Sequence, residues 1–533
     1  MSRTGAQHST DRVTTTAQVR DALIHRREIA LFDVREEGRF AQAHPLFAAS
    51  LPLGRIELEI YDRVPRRTTP IVIYDEGEGL GDAAVGRLRA LGYSHVSLLD
   101  GGLEGWRLAG GEIFRDVNTP SKAFGELVEH CRHTPSLTAP ELKAQLDANA
   151  DVIVLDARRF DEYRTMSIPT AVSVPGAELV LRAQAAAPSA SSLVVVNCAG
   201  RTRSIIGAQS LVNAGIPNRV VALRNGTIGW TLAGFSLDRG QTRTVTAVPA
   251  TVAERARIAA RAVADRAGVK RLAHHDAERW ADDESRTTYR FDVRSPEEYA
   301  AGHLHGFRSA PGGQLVQETD VFAPVRGARI VLWDPEQARA DMTASWLAQM
   351  GWEVYALEGA GSDNATEKGS WGPQIAALPD VRRIEPRDLE LEREAGATIV
   401  DVAPSPEYLR GHIAGAWHLS RTSIKVAAQA LPKSARYVVT STDGALARFA
   451  ASDLAAVTKG TVVVLNGGTN AWRGAGLPLT AGAEHFTMDP IDVYKRPYEG
   501  THNDAAAMQA YLDWEYGLVA QLERDGTHGF RVL

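Results

Sequence analysis

The sequence predicts an α/β chain of four tandem units, each a parallel sheet covered by helices on both faces, followed by a helical C-terminal tail. Three observations carry that expectation. The chain has 533 residues, more than one hydrophobic core organises. A strand ending in an acidic residue, a spacer and an arginine recurs along it, as internal repeats do. Its short apolar runs are continuous rather than alternating, and helical segments lie between them, which is how a parallel sheet buried on both faces reads.

The repeated strand is Leu31-Phe32-Asp33-Val34-Arg35, then Val154-Leu155-Asp156-Ala157-Arg158, Phe291-Asp292-Val293-Arg294 and, with the arginine lost, Val400-Asp401-Val402-Ala403. A pair follows each one: Arg39-Phe40, Glu162-Tyr163, Glu298-Tyr299 and Glu407-Tyr408. The third and fourth units continue with Gly302-His303 and Gly411-His412. A second strand comes later in each unit: Ile71–Tyr74, Leu193–Val196, Ile330–Trp333 and Tyr437–Thr440. Helical segments such as Gly81–Leu91 and Ser204–Ala214 come after these strands. A Gly-rich turn with Trp106, Trp230 or Trp472 closes three units, while the third has Leu357-Glu358-Gly359-Ala360-Gly361 without a Trp. Polar or Pro-bearing stretches put the units at 1–122, 123–245, 246–372 and 373–485, with a tail at 486–533. A charged, Ala-rich helix over 252–267 opens the third unit. In the tail, Tyr511, Trp514, Tyr516 and Leu518 predict a helix that packs an aromatic face onto another domain or a second subunit, which invites a homodimer.

A formal net charge of −6 argues against nucleic acid as a partner. No apolar run is long enough to cross a membrane, and Met1–His8 is polar, without a signal-peptide core. Two cysteines, Cys131 and Cys198, exclude a disulfide framework and suit a reducing cytoplasm.

Chemistry concentrates at Val194-Val195-Val196-Asn197-Cys198-Ala199-Gly200-Arg201-Thr202-Arg203-Ser204. A buried strand, a tight loop and a helix N-terminus place a thiol at the strand's end. Inward N–H groups and the positive end of the helix dipole both favour a thiolate there. A small core cysteine capping the strand is the plainer alternative, but the Gly/Arg loop favours a reactive thiol. Arg201 and Arg203 can hold an anion through charge-assisted bonds; alternatively they pair with Glu162 or Asp156 and brace the loop. The matching loops lack the thiol: Asp75, Asp334 and Ser441 stand at its position. Cys131, between His130 and His133, reads as an incidental thiol or as a relay partner for Cys198, and that spacing does not predict a metal site. His274-His275 reads as a solvated helix face.

Together the Asp-x-Arg strand, the Glu-Tyr pair, the Gly-His-Ile-x-Gly-Ala turn and the Gly-Gly-x-x-x-Trp turn resemble the rhodanese superfamily. The resemblance covers nearly the whole chain, as four tandem rhodanese-like domains of which the second carries the active-site cysteine. It implies sulfur transfer: Cys198 attacks the outer sulfur of thiosulfate or a similar small anionic donor, forms a persulfide without an added cofactor, and passes the sulfur to cyanide or a thiol. Mercaptopyruvate, glutathione persulfide and a protein thiol also stay open. The donor would rest on Ala199, Gly200, Arg201, Thr202 and Arg203, and on Arg182, where family members place an arginine toward the substrate. Asp156, Arg158 and Glu162 would support the loop. The second unit departs from the family at Thr165-Met166-Ser167-Ile168-Pro169, which replaces Gly-His-Ile-Pro, so a histidine assisting Cys198 is not expected. Two rivals remain: a cysteine-dependent phosphatase, whose loop has five residues between Cys and Arg where this one has four, and a non-catalytic sulfur carrier or scaffold.

Overall fold

A computed structural model describes residues 13–245, 247–280, 283–500 and 504–533; Met1–His8 and the expected boundary at residue 246 lie outside them. Among the described residues the strands form four parallel sheets, and within each the spatial order is first, fifth, fourth, second, third strand. The fourth sheet gains one more strand, His485–Phe486, beside its third. The central strands Ile71–Tyr74, Leu193–Asn197 and Arg329–Trp333 are buried throughout, which explains their unbroken apolar runs. Among the described residues no helix is long and apolar enough to cross a membrane.

The repeated residues turn out to be joints. In the second unit Arg158 donates through Nε and Nη2 to Asp156 at 2.9 and 2.7 Å, and its Nη2 also reaches the Met166 carbonyl. Arg35 and Arg294 fork onto Asp33 and Asp292 in the same way. The tyrosine of each Glu-Tyr pair donates to a carbonyl eight residues on: Tyr163 to Ala171, Tyr299 to Phe307 and Tyr408 to Ala416. His303 and His412 stack on Tyr299 and Tyr408 with ring centroids 3.8 Å apart, so these histidines serve packing. The closing Trp donates to a carbonyl six residues on, as Trp106 to Glu112, Trp230 to Ser236 and Trp472 to Pro478. In the third unit Trp333, from the central strand, reaches the Ala360 carbonyl at the turn that lacks its own Trp.

Where the fourth unit puts Ala403 in place of the arginine, Asp401 keeps its seat at 1 % exposure and accepts only the Ala403 N–H at 2.9 Å among its described partners. Burial pushes its carboxyl up to about 6. A folded-state value raised above the ordinary one favours folding fully only below the ordinary carboxylate range, and that support is lost as pH rises through 6. Asp401→Asn is therefore expected to stabilise the chain by about 2 kcal/mol at pH 8 and to change little at pH 4. Thermal melts at the two pH values check this, and equal shifts at both would contradict it.

The units pack as neighbours. Gly54 of the first donates to Thr422 of the fourth, and Arg421 bridges to Glu57. Gly176 of the second lies against Gly313 of the third, and the buried Arg339 gathers Glu178 and Glu298 from these two units. The Ala-rich helix runs over Ala250–Ala267 and buries Ala256, Ala260, Val263 and Ala264 along one stripe. The position near 122, read as a polar separator, lies inside the helix Thr119–Arg132. Lys122 is buried there because its ammonium meets Asp116 at 2.5 Å.

Candidate active site

Cys198 follows the last residue of the strand Leu193–Asn197 and precedes the helix Thr202–Ala214. Asn197 donates to Asp156 at 3.0 Å, which ties the loop to the Asp-Arg joint. The Cys198 thiol lies 3.5 Å from Ser204 Oγ, and the Ser204 N–H also faces the sulfur. The loop's carbonyls are pinned from below: Thr227 N–H donates to Cys198 O at 2.9 Å and Ile228 N–H to Ala199 O at 3.0 Å. Gly226 makes that approach feasible. Its φ is +53°, and a Cβ there would stand 2.3 Å from Cys198 O. Among the described residues, the N–H groups of Ala199, Gly200 and Arg201 donate to no backbone carbonyl.

Arg203 takes the bracing alternative. Arg203 forks onto Glu162 at 2.7 and 2.9 Å. Burial alone would raise the Glu162 carboxyl, but Arg203, Arg158 and Arg159 hold it at about 2. Arg203 still acts on Cys198 through space and favours its thiolate. Arg201 and Arg182 also hold partners within the chain. Arg201 binds Glu126 at 2.7 and 2.8 Å, binds Glu129, and lies 4.0 Å over the Tyr516 ring. Arg182 binds Glu178 and the Val245 carbonyl. The reason is physical: each is buried or half-buried, and a charge taken from water needs a fixed counter-charge. Thr202 is buried, and its Oγ1 has no partner among the described residues.

The thiol itself is covered. Cys198 is 2 % exposed, and burial pushes its thiol up, only partly offset by Arg203 and Ser204. Beside it the C-terminal tail packs Tyr498, Met508, Tyr511 and Leu512 on Ala199 and Ile228. Of the aromatic face noted in the tail, Tyr511 packs on the second domain, Tyr516 accepts from Arg201 there, and Leu518 is buried in the large core that includes first-domain residues. Two cavities flank Tyr498: one of about 180 Å³ lined by Arg158, Glu162 and Arg203, and one of about 420 Å³ lined by Thr227, Ile228 and Met508. Cys198 lines neither. Cys131 is exposed and unbonded to Cys198.

The sister loops show what the Cys198 seat faces. In each, the residue at that seat meets the residue six positions on, at the start of the following helix. Asp75 accepts the N–H groups of Leu80 and Gly81 at 2.6 and 3.0 Å, Asp334 that of Ala340 at 2.6 Å, and Ser441 that of Ala447 at 3.2 Å. Ser204 stands at the same offset from Cys198. Among the described residues, no group of three or more His, Cys, Asp or Glu is arranged to hold a metal ion.

Four such sheets, with one loop carrying a thiol, define a tandem α/β repeat protein, and the rhodanese-like domain family model matches residues 15–109, 138–233, 274–363 and 385–475. The chain belongs to the rhodanese-like domain family, with four copies of the domain. It is similar over 98 % of its length to the crystal structure of a thiosulfate sulfurtransferase from Pseudomonas aeruginosa, at 58 % identity and a TM-score of 0.97, and covers 100 % of that chain. A thiosulfate sulfurtransferase GlpE of Pseudomonas fluorescens (strain SBW25) is 32 % identical over 96 residues, which is 18 % of this chain and 88 % of that protein. A putative thiosulfate sulfurtransferase SseB of Mycobacterium tuberculosis (strain H37Rv) is 31 % identical over 125 residues, 22 % of this chain and 43 % of that one.

Proposed function

We propose that the chain is a thiosulfate sulfurtransferase whose second domain, 123–245, does the chemistry through Cys198. One observation carries the reading: of four equivalent seats at a helix N-terminus, one holds a thiol where the others hold carboxylates or a hydroxyl. A Cys198 thiolate attacks the outer sulfur of thiosulfate, the S–S bond breaks, and sulfite leaves with the bonding pair. The persulfide's outer sulfur is then taken by cyanide or a thiol, and the bond pair returns to Cys198 as thiolate. Every electron pair stays within donor, cysteine and acceptor, so no added cofactor is needed.

The residues support each need of that cycle. The open N–H groups of Ala199, Gly200 and Arg201 suit the negative charge of the donor and of the persulfide. Arg203, held by Glu162, adds a fixed positive charge beside the sulfur. Asp156 and Arg158 hold the strand end, and Arg201 with Glu126 fixes the loop to the helix Thr119–Arg132. The three thiol-less domains serve as scaffold. Two free cysteines suit a reducing cytoplasm.

Incubation with thiosulfate is expected to add one sulfur atom per chain, read by intact mass and mapped to Cys198, while an aryl phosphate stays intact. Asp75→Asn and Asp334→Asn should leave that adduct unchanged. A chain that takes no sulfur, or that hydrolyses the phosphate ester instead, would sink the reading.

A further inference from the structure

We infer that the tail helix Ala505–Tyr516 is a charge-selective gate over Cys198, with Glu515 as the residue that discriminates against anionic reagents. The inference deepens the proposed function, since it rests on Cys198 being the nucleophile.

The helix has twelve residues and is capped by Asp504, whose side chain accepts the Ala506 N–H. Its inner face lies on the catalytic loop. Glu515 is 1 % exposed, and its Oε2, which has no hydrogen-bond partner among the described residues, stands 3.2 Å from where a Cβ on Gly200 would be. Tyr511 donates to the other oxygen, Oε1, at 2.9 Å, and its ring edge lies 3.3 Å from the same Gly200 position. Tyr516 takes the Arg201 Nη1–H at 2.9 Å, which fastens the helix end to the loop. A carboxylate therefore covers the loop whose N–H donors would receive the donor's negative charge. A dianion approaching Cys198 over this loop meets a like charge whenever Glu515 is ionised.

The groups around Glu515 set when that is. Lys122 and Glu126 face it from the helix Thr119–Arg132, where Glu129 shares Arg201 with Glu126. Cys198, Arg201 and Arg203 lie on the loop side, Tyr498 on the preceding tail segment, and Tyr511 and Tyr516 on its own helix. Burial first, and Glu126 second, push the Glu515 carboxyl up to about 8, against the pull of Lys122, Tyr511 and Arg201. The gate is neutral below that pH and charged above it. The charged form also pushes the Cys198 thiol up.

The test uses the full chain with Cys131→Ser, so that Cys198 is the one thiol, and compares its alkylation by iodoacetate, an anion, with that by neutral iodoacetamide. Both reagents need the same thiolate, so their rate ratio cancels the thiol's own titration and reads the field at the sulfur. The anion-to-neutral ratio is expected to fall about tenfold between pH 7 and pH 9. In Glu515→Gln, which keeps the shape and the Tyr511 bond, it should stay flat. Glu515→Asp should retain the fall. Leu512→Ala, which loosens the helix, should speed both reagents together. A flat ratio in the parent chain, or the same fall in Glu515→Gln, would overturn the gate. A chain that shows the selectivity but takes no sulfur from thiosulfate would support the gate and overturn the proposed function instead.

Discussion

Cys198→Ser is expected to reduce thiosulfate-to-cyanide transfer by on the order of a thousandfold or more, with the fold intact. A hydroxyl is a far weaker nucleophile toward sulfur than a thiolate, and it does not release a transferred sulfur as a persulfide does. The substitution is structurally mild. The fourth domain already carries Ser441 at the equivalent seat, where it accepts the Ala447 N–H at 3.2 Å. Steady-state transfer assays with a parallel far-UV spectrum check both halves of the claim. Substantial turnover in the variant would move the chemistry away from this loop.

Gly226→Ala is the second large effect. The residue has φ +53°, and its Cβ would stand 2.3 Å from Cys198 O and 2.8 Å from Ala199 O, so the loop must shift. A displacement near 1 Å at the reacting atom is expected to cost about a hundredfold in transfer rate. Stability should fall by about 1–3 kcal/mol. Gly234→Ala is the control. It also has positive φ, +79°, but nothing lies within 4 Å of its Cβ position. It should cost about 1 kcal/mol and leave the rate unchanged. Equal rates in the two variants would show that the turn does not position the loop. The same device recurs where Gly102 meets Asp75 O and Gly468 meets Ser441 O.

The repeats were legible because they encode local joints of fixed spacing. A tyrosine bonds a carbonyl eight residues away and a tryptophan one six away, so the four-unit fold could be read straight along the chain. The seat of Cys198 was legible for the same reason, since its loop spans a few residues. The partners of Arg201 were not. Glu126 and Glu129 sit on a helix that begins at the expected boundary near 122, and only its docking against the Thr202–Ala214 helix brings them to the guanidinium. The packing beside the thiol was half legible. An aromatic tail face was evident, but no local spacing tells which surface such a face will choose.

The three silent loops have a consequence for how the fourth works. Asp75, Asp334 and Ser441 each lend the adjoining helix start an oxygen of their own, so those recesses carry a resident occupant fixed by covalent attachment to the same loop. Cys198 lends no such oxygen. The carboxylate above its recess belongs to Glu515 at the far end of the chain, joined to the loop by packing and hydrogen bonds alone. Three of the occupants are bound covalently within their own loops; the fourth is held by contacts that can be broken without breaking a bond of the chain.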